Sequence, residues 1–177
     1  MTDIELYRDK GLEIYEKAHY SHGEHIGEVE AILSWYARKE ARVLDIGCSG
    51  GLHALELAKR GYSITGMDVE MSAIQLARRR SADMALKADF IAADLEKDDL
   101  TWLGSFDLVY SLGNVISHIP KKSLPAVLRK IRSCLEITAY FFSISWRLVT
   151  LFLKRYTKRI SASSGGEHWT GEPDISS

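Results

Sequence analysis

The stretch "RVLDIGCSGGLHALELAKRGYSITGMD", from Arg42 to Asp68, decides the fold of this chain. It opens with a short apolar run at residues 43–46 that leads into a cluster of glycines, a pattern typical of a buried strand. An apolar stripe starting at Leu52 then predicts a helix, which Gly61 ends. Residues 62–67 form a second apolar run, so the stretch predicts a strand–helix–strand unit that closes on an acid.

The remaining sequence continues this alternation. Further helices are predicted over most of residues 1–38, at 71–80 and at about 124–135, and further strands at 90–93, 106–112 and 140–144. This order predicts an α/β fold with a largely parallel sheet wrapped by helices. The apolar run Ile137–Leu153 is just short of a membrane span and contains Arg147, so a buried strand followed by a helix is predicted there instead.

Composition limits the class of protein. The chain has 177 residues, 46% of them hydrophobic, and a net charge of −1, which fits one globular domain and argues against nonspecific nucleic-acid binding. Cys48 and Cys134 are far apart, without the spacing of a metal site, and the charged N-terminus does not resemble a secretory signal. These features favour a cytoplasmic protein. His19, His22 and His25 are spaced by three, but they lack an acidic or cysteine partner, so no metal site is predicted.

Polar signals cluster at the ends of the predicted strands. Gly47, Gly50 and Gly51 allow a sharp turn between the first strand and its helix, and they let a ligand approach the main chain. Asp68 ends the second strand, where an acid can accept hydrogen bonds from a ribose, and Asp94 ends the third. Each feature alone also fits a tight turn or a helix cap. Together, at successive strand ends of a parallel sheet, they predict a nucleoside-binding crevice.

The spacing of the glycines separates two classes of cofactor. A dinucleotide site requires G-x-G-x-x-G, but this chain has Ser49 and Leu52 where the second and third glycines would stand. A cofactor with one ribose, one adenine and no phosphate fits better. S-adenosylmethionine is such a cofactor.

Three segments resemble one known family. "VLDIGCSGG", "GMDVEMSAIQLAR" and "FIAADLEK" are similar to the first three motifs of class I S-adenosylmethionine-dependent methyltransferases, and the resemblance covers about residues 31–145. It implies a Rossmann-like, three-layer sandwich with a mostly parallel sheet. It also implies contacts to the amino-acid part of the cofactor at Asp45, Gly47, Cys48 and Gly51, to the ribose at Asp68, to adenine at Val69, Ala93, Asp94 and Leu95, and near the sulfonium at Ser111, Leu112 and Gly113.

The segment "SLGNVISHIP", residues 111–120, is similar to a stretch of glycine and sarcosine N-methyltransferase-like enzymes. That similarity implies that Asn114 and His118 are catalytic residues where the acceptor enters. The alternative is that both side chains pin a loop.

The chain is expected to contain three segments. Residues 1–40 are expected to form a helical lid or substrate segment with Tyr15, His19 and Tyr20 facing the site, residues 41–160 the cofactor-binding core, and residues 161–177 a flexible tail. No two convincing strands follow Ile144, so the sheet is expected to lack the full C-terminal hairpin of strands six and seven.

The expected function is methyl transfer from S-adenosylmethionine to a small molecule by in-line displacement. The alternative is a cofactor-binding protein that lacks catalysis or depends on a partner. Methylation of RNA or protein is less favoured, because no basic groove is evident in the sequence. No membrane association is expected, and the sequence leaves a homodimer open.

Overall fold

A computed structural model describes residues 10–35, 38, 40–145 and 148–154. The expected flexible tail, residues 161–177, therefore lies outside the described residues. The helices are α1 Lys10–His19, α2 Glu24–Trp35, α3 Leu52–Lys59, α4 Met71–Asp83 and α5 Leu124–Ser133. The strands are β1 Arg42–Ile46, β2 Ser63–Asp68, β3 Ala88–Ala92, β4 Phe106–Ser111, β5 Leu135–Ser145 and β6 Leu148–Lys154.

These strands form one six-stranded sheet in the order β3-β2-β1-β4-β5-β6. The first five are parallel, and β6 runs antiparallel to β5. The order reverses between β1 and β4, so the connections that leave these two strands diverge and open a crevice at their C-terminal ends. The predicted α/β fold with a mostly parallel sheet is confirmed.

Alternation along β1 divides the core into two layers. Val43 points to the face that packs with α2, α3 and α4, whereas Leu44 and Ile46 point to the face covered by α5. All three side chains are almost completely buried, as a central parallel strand requires. Asp45 shares the face of Val43, so the alternation turns a carboxylate toward the α3 side of the sheet.

The C-terminal part of the sheet differs from the sequence prediction. The helix expected after the fifth strand is wrong, because residues 148–154 form β6, which pairs with β5 from Tyr140↔Lys154 to Ser145↔Leu148. Valine, threonine and phenylalanine in "LVTLFLK" favour a strand, and the pairing covers an edge that β5 would otherwise expose. The described residues thus contain one antiparallel strand after β5, rather than a full two-strand hairpin.

Candidate cofactor and methyl-transfer site

The glycine loop after β1 is anchored to the end of β2. The backbone N–H groups of Gly47 and Cys48 both donate to the carbonyl oxygen of Met67, at 2.8 and 3.0 Å. Gly47 and Gly51 have φ of 77° and 81°, as expected for glycines that permit the turn. The prediction that Gly50 supplies the same freedom is wrong. The third left-handed residue is Ser49, with φ of 51°.

Asp45 is buried at the end of β1, and it lines the cavity described below. Burial raises the pKa of this carboxyl to about 7, partly offset by the nearby His53. The Tyr110 hydroxyl lies close enough to influence that pKa, but the two groups do not meet in full hydrogen-bond geometry. Among the described residues, Asp45 Oδ2 and Tyr110 Oη therefore lack hydrogen-bond partners. A buried acceptor of this kind is suited to a ligand that brings a donor.

Asp68 links the glycine loop to the start of α4. Its Oδ2 accepts from the Ser49 N–H at 2.9 Å, and its Oδ1 accepts from the Glu70 N–H at 2.9 Å. Burial raises the pKa of this carboxyl, although the backbone donors oppose the shift. Each oxygen has a second lone pair, so Asp68 can hold the loop and still accept from a ribose diol.

The loops after β2 and β3 provide an apolar surface and a third carboxylate. Val69 is 62% exposed at the edge of the cavity, whereas Leu95 is buried in the cavity wall. Asp94 caps its own turn, because its Oδ1 accepts from the N–H of Glu96 at 2.9 Å. A hydrogen bond from Lys97 holds the pKa of Asp94 below its usual value. The turn-capping role is thus present, and the contact to adenine stays a prediction.

The end of β4 and the loop that follows it contain side chains that stabilise the loop and residues that line the cavity. Ser111 is fully buried, and its hydroxyl donates to the Ile46 carbonyl at 3.0 Å, which ties β4 to β1. Asn114 adopts a left-handed conformation and accepts a hydrogen bond from the Ser117 hydroxyl at the start of a 3₁₀ turn, Val115–His118. His118 is exposed and lines the cavity.

The N-terminal helices form one wall of the site. Tyr15 and Tyr20 line the cavity, whereas His19 stacks on Tyr15 with ring centroids 4.3 Å apart and is not in the lining. His53, on the first turn of α3, also lines the cavity. Its ring packs edge-on against Tyr20, and its Nε2 lies 2.5 Å from Glu28 Oε2 on α2.

The resulting cavity has a volume of about 780 Å³. The predicted site residues in its lining are Tyr15, Tyr20, Asp45, Gly47, Cys48, Asp68, Val69, Asp94, Leu95, Leu112, Gly113 and His118. The predicted residues outside the lining are His19, Gly51, Ala93, Ser111 and Asn114.

Gly51 illustrates why one of these residues lies elsewhere. A Cβ at Gly51 would lie 3.0 Å from Ala77 Cβ and 3.1 Å from the Phe90 ring, so this glycine allows close packing of the loop rather than ligand contact. Glu16, Ser49, His53 and Val115 are among the lining residues that the sequence did not predict.

Residues 43–137, more than half of the chain, match the family model of the methyltransferase domain. This chain belongs to the methyltransferase domain family. The matched segment begins in β1 and reaches β5, so it includes every strand end that contributes to the cavity. The resemblance to class I methyltransferases is thereby confirmed.

Known proteins support this assignment over part of their length. The ubiquinone biosynthesis O-methyltransferase of Vibrio parahaemolyticus is 29% identical over 116 residues, which cover 63% of this chain and 47% of that protein. This chain thus spans about half or less of the length of such curated relatives. A TehB-like SAM-dependent methyltransferase from Corynebacterium glutamicum superposes with a TM-score of 0.60 at 26% identity, covering 66% of this chain and 60% of the other.

A more distant structure shares the fold. An S-adenosylmethionine-dependent methyltransferase from Clostridium acetobutylicum has a TM-score of 0.65 at 16% identity, over 76% of this chain and 55% of the other.

No helix within the described residues has the length and apolar character to cross a membrane. Within the same residues, no group of three or more His, Cys, Asp or Glu side chains is arranged to hold a metal ion.

Proposed function

We propose that this methyltransferase domain binds S-adenosylmethionine in the cavity and transfers its methyl group to a small-molecule acceptor. One observation carries the proposal. Asp45, Asp68 and Asp94 lie at the C-terminal ends of β1, β2 and β3, and all three line one cavity beside the point where the strand order reverses. Nucleoside cofactors bind at this position in open parallel sheets.

The residues of the cavity fit the parts of this cofactor. The unpartnered Oδ2 of Asp45 is suited to the ammonium group of the amino-acid end. Asp68 is suited to the ribose diol, and the side chains of Val69 and Leu95 offer apolar surface for adenine. Ser49 stands where a dinucleotide loop has glycine, and a loop of this kind does not favour a pyrophosphate.

The chain's contribution to the reaction is alignment and exclusion of water. S-adenosylmethionine supplies a methyl group that its sulfonium already activates for in-line displacement. Leu112 and Gly113 would position that end of the cofactor, while Tyr15 and Tyr20 cover the cavity and limit water near the reacting atoms. His118 would orient the acceptor. A neutral amine or a deprotonated oxygen reacts without a strong enzymic base.

A small acceptor fits the charge of the chain. The net charge of −1 does not favour a nucleic-acid substrate. The name of the Vibrio parahaemolyticus relative points to methylation of an oxygen, so phenols belong among the first acceptors to test.

Cys48 and Cys134 are buried and unpaired, which supports the proposal of a cytoplasmic, reducing environment.

A labelled-methyl assay tests this function. The full chain is incubated with methyl-labelled S-adenosylmethionine and phenol, carboxylate and amine acceptors, together with a small-molecule cell extract, and its binding of S-adenosylhomocysteine is measured in parallel. Binding together with acceptor-dependent transfer supports the proposal. Binding without transfer to any acceptor indicates a noncatalytic cofactor-binding protein, and absence of binding contradicts the proposal.

A further inference from the structure

An ion pair connects the N-terminal helix to the core beside the cavity. Arg80, in the last turn of α4, donates from Nη1 to Glu16 Oε1 at 2.9 Å and from Nη2 to Glu16 Oε2 at 2.7 Å. The two side chains are only 24% and 11% exposed. This bidentate arrangement fixes the distance and the orientation of α1 relative to α4 more closely than a single contact would.

The same arginine also holds the glycine loop. Arg80 Nη1 donates to the Gly50 carbonyl oxygen at 2.9 Å. A Cβ at Gly50 would lie 2.5 Å from Glu16 Oε1 and 2.6 Å from Arg80 Nη1. The absence of a side chain at Gly50 therefore leaves room for the ion pair, which accounts for a glycine whose φ is not positive.

We propose that Glu16 and Arg80 are positioning residues that hold α1 closed over the cofactor cavity. Glu16 lines the cavity beside Tyr15, and Tyr20 follows α1 directly. Separation of Glu16 from Arg80 would release α1 from the glycine loop, and the bound cofactor or its product could then leave the cavity. The identity of the ligand in this inference rests on the proposed function, whereas the closure of α1 does not.

The expected effect follows from the burial of the pair. A fully exposed ion pair contributes little, but a largely buried bidentate pair that also holds a carbonyl contributes more. Removal of the Glu16 charge should increase the population of the open form and speed release of S-adenosylhomocysteine by about five- to thirty-fold. Association should become faster as well, because ligand enters through the open form and the variant populates that form more.

Two variants and a matched control test the pair. Glu16→Gln removes the charge, and Arg80→Lys keeps the charge but loses the bidentate geometry. Glu30→Gln is the control, since Glu30 also joins an N-terminal helix to the core, through Arg60, but does not line the cavity. Release of S-adenosylhomocysteine is measured by stopped-flow displacement, and opening of α1 in the unliganded full chain is measured by hydrogen exchange.

We expect faster release and faster exchange of the α1 amides in Glu16→Gln and Arg80→Lys, with Glu30→Gln close to wild type. The double variant should release ligand no faster than the more affected single variant. If Glu16→Gln matches Glu30→Gln in both measurements, the inference is wrong. If the wild-type chain binds no S-adenosylhomocysteine, the proposed function fails, and the exchange rates of α1 still decide whether the pair closes the helix.

Discussion

Replacing Asp45 by asparagine should stabilise the unliganded protein at neutral pH and weaken its binding of cofactor. The carboxyl is buried, its Oδ2 has no hydrogen-bond partner among the described residues, and burial raises its pKa to about 7. Asparagine has nearly the same shape and no charge, and its amide can donate to the neighbouring Tyr110 hydroxyl. The change therefore removes the cost of a buried charge and leaves the packing intact.

The size of the effect follows from the two pKa values. In the unfolded chain Asp45 titrates near 3.8, and in the folded protein near 7. Between these values the folded state holds a proton that the unfolded state has lost, so stability falls as the pH rises through this window and is constant above it. A difference of about three pKa units corresponds to an upper limit of about 4 kcal/mol at pH 8.

The assay is urea unfolding of the wild-type protein and of Asp45→Asn without ligand, at pH 5 and pH 8. The gain in free energy of unfolding should be about 1.5 kcal/mol at pH 5, which lies inside the window, and should reach up to about 4 kcal/mol at pH 8. Affinity for S-adenosylhomocysteine at pH 8 should fall by roughly 1.5–3 kcal/mol, since a hydrogen bond between charged groups is lost. In the wild type, affinity should weaken below pH 7, as Asp45 becomes protonated.

The reasoning is refuted if Asp45→Asn is less stable than the wild type at pH 8, because the ionised carboxylate would then be a favourable part of the unliganded fold. It is also refuted if the variant binds S-adenosylhomocysteine as tightly as the wild type. Asp107→Asn serves as the comparison, because its carboxylate already accepts from Arg38 and from the Arg42 backbone, away from the cavity.

Substitutions at three further positions test other parts of the site. Asp68→Ala should reduce cofactor affinity, measured by calorimetry, by about 2–3 kcal/mol and should lower the melting temperature, because two backbone donors lose their acceptor. The control Asp89→Ala, at an exposed position, should have the affinity and the melting temperature of the wild type. His118→Ala should lower turnover with little change in cofactor affinity or melting temperature, and parallel losses in all three would instead assign it a structural role. Ser49→Gly should change the free energy of unfolding by less than about 1 kcal/mol, because relief of the left-handed backbone strain is offset by the greater chain entropy of glycine. Ser49→Val should lower the free energy of unfolding, measured in urea, by about 1–3 kcal/mol, and equal stability of the two variants would show that the backbone at Ser49 is not strained.

The strand ends could be predicted because local signals determine them. Short apolar runs bounded by glycine or aspartate place β1, β2 and β3, and the C-terminal ends of parallel strands meet at one edge of the sheet. The sequence therefore predicted that the glycine turn, Asp68 and Asp94 would meet, and the family resemblance added Asp45. Gly47 and the three aspartates all line the cavity. The glycine spacing favoured S-adenosylmethionine over a dinucleotide, and the resemblance to a known family implied the same cofactor.

Features that depend on tertiary contacts could not be predicted. Glu16 and Arg80 are 64 residues apart, and no local pattern indicates that they pair. Ser49 adopts positive φ where its N–H meets Asp68, a contact that only the folded loop provides. The run at residues 148–154 is apolar without a clear period, so helix and strand could not be separated until the edge of β5 was known.

Calorimetric titration of the full chain with S-adenosylhomocysteine, and separately with NAD, tests the central claim most directly. Three carboxylates at successive strand ends, and a loop with serine where a dinucleotide site has glycine, predict one-site binding of S-adenosylhomocysteine and no binding of NAD at the same concentrations. Binding of NAD in preference to S-adenosylhomocysteine, or binding of neither, would contradict the assignment of this cavity.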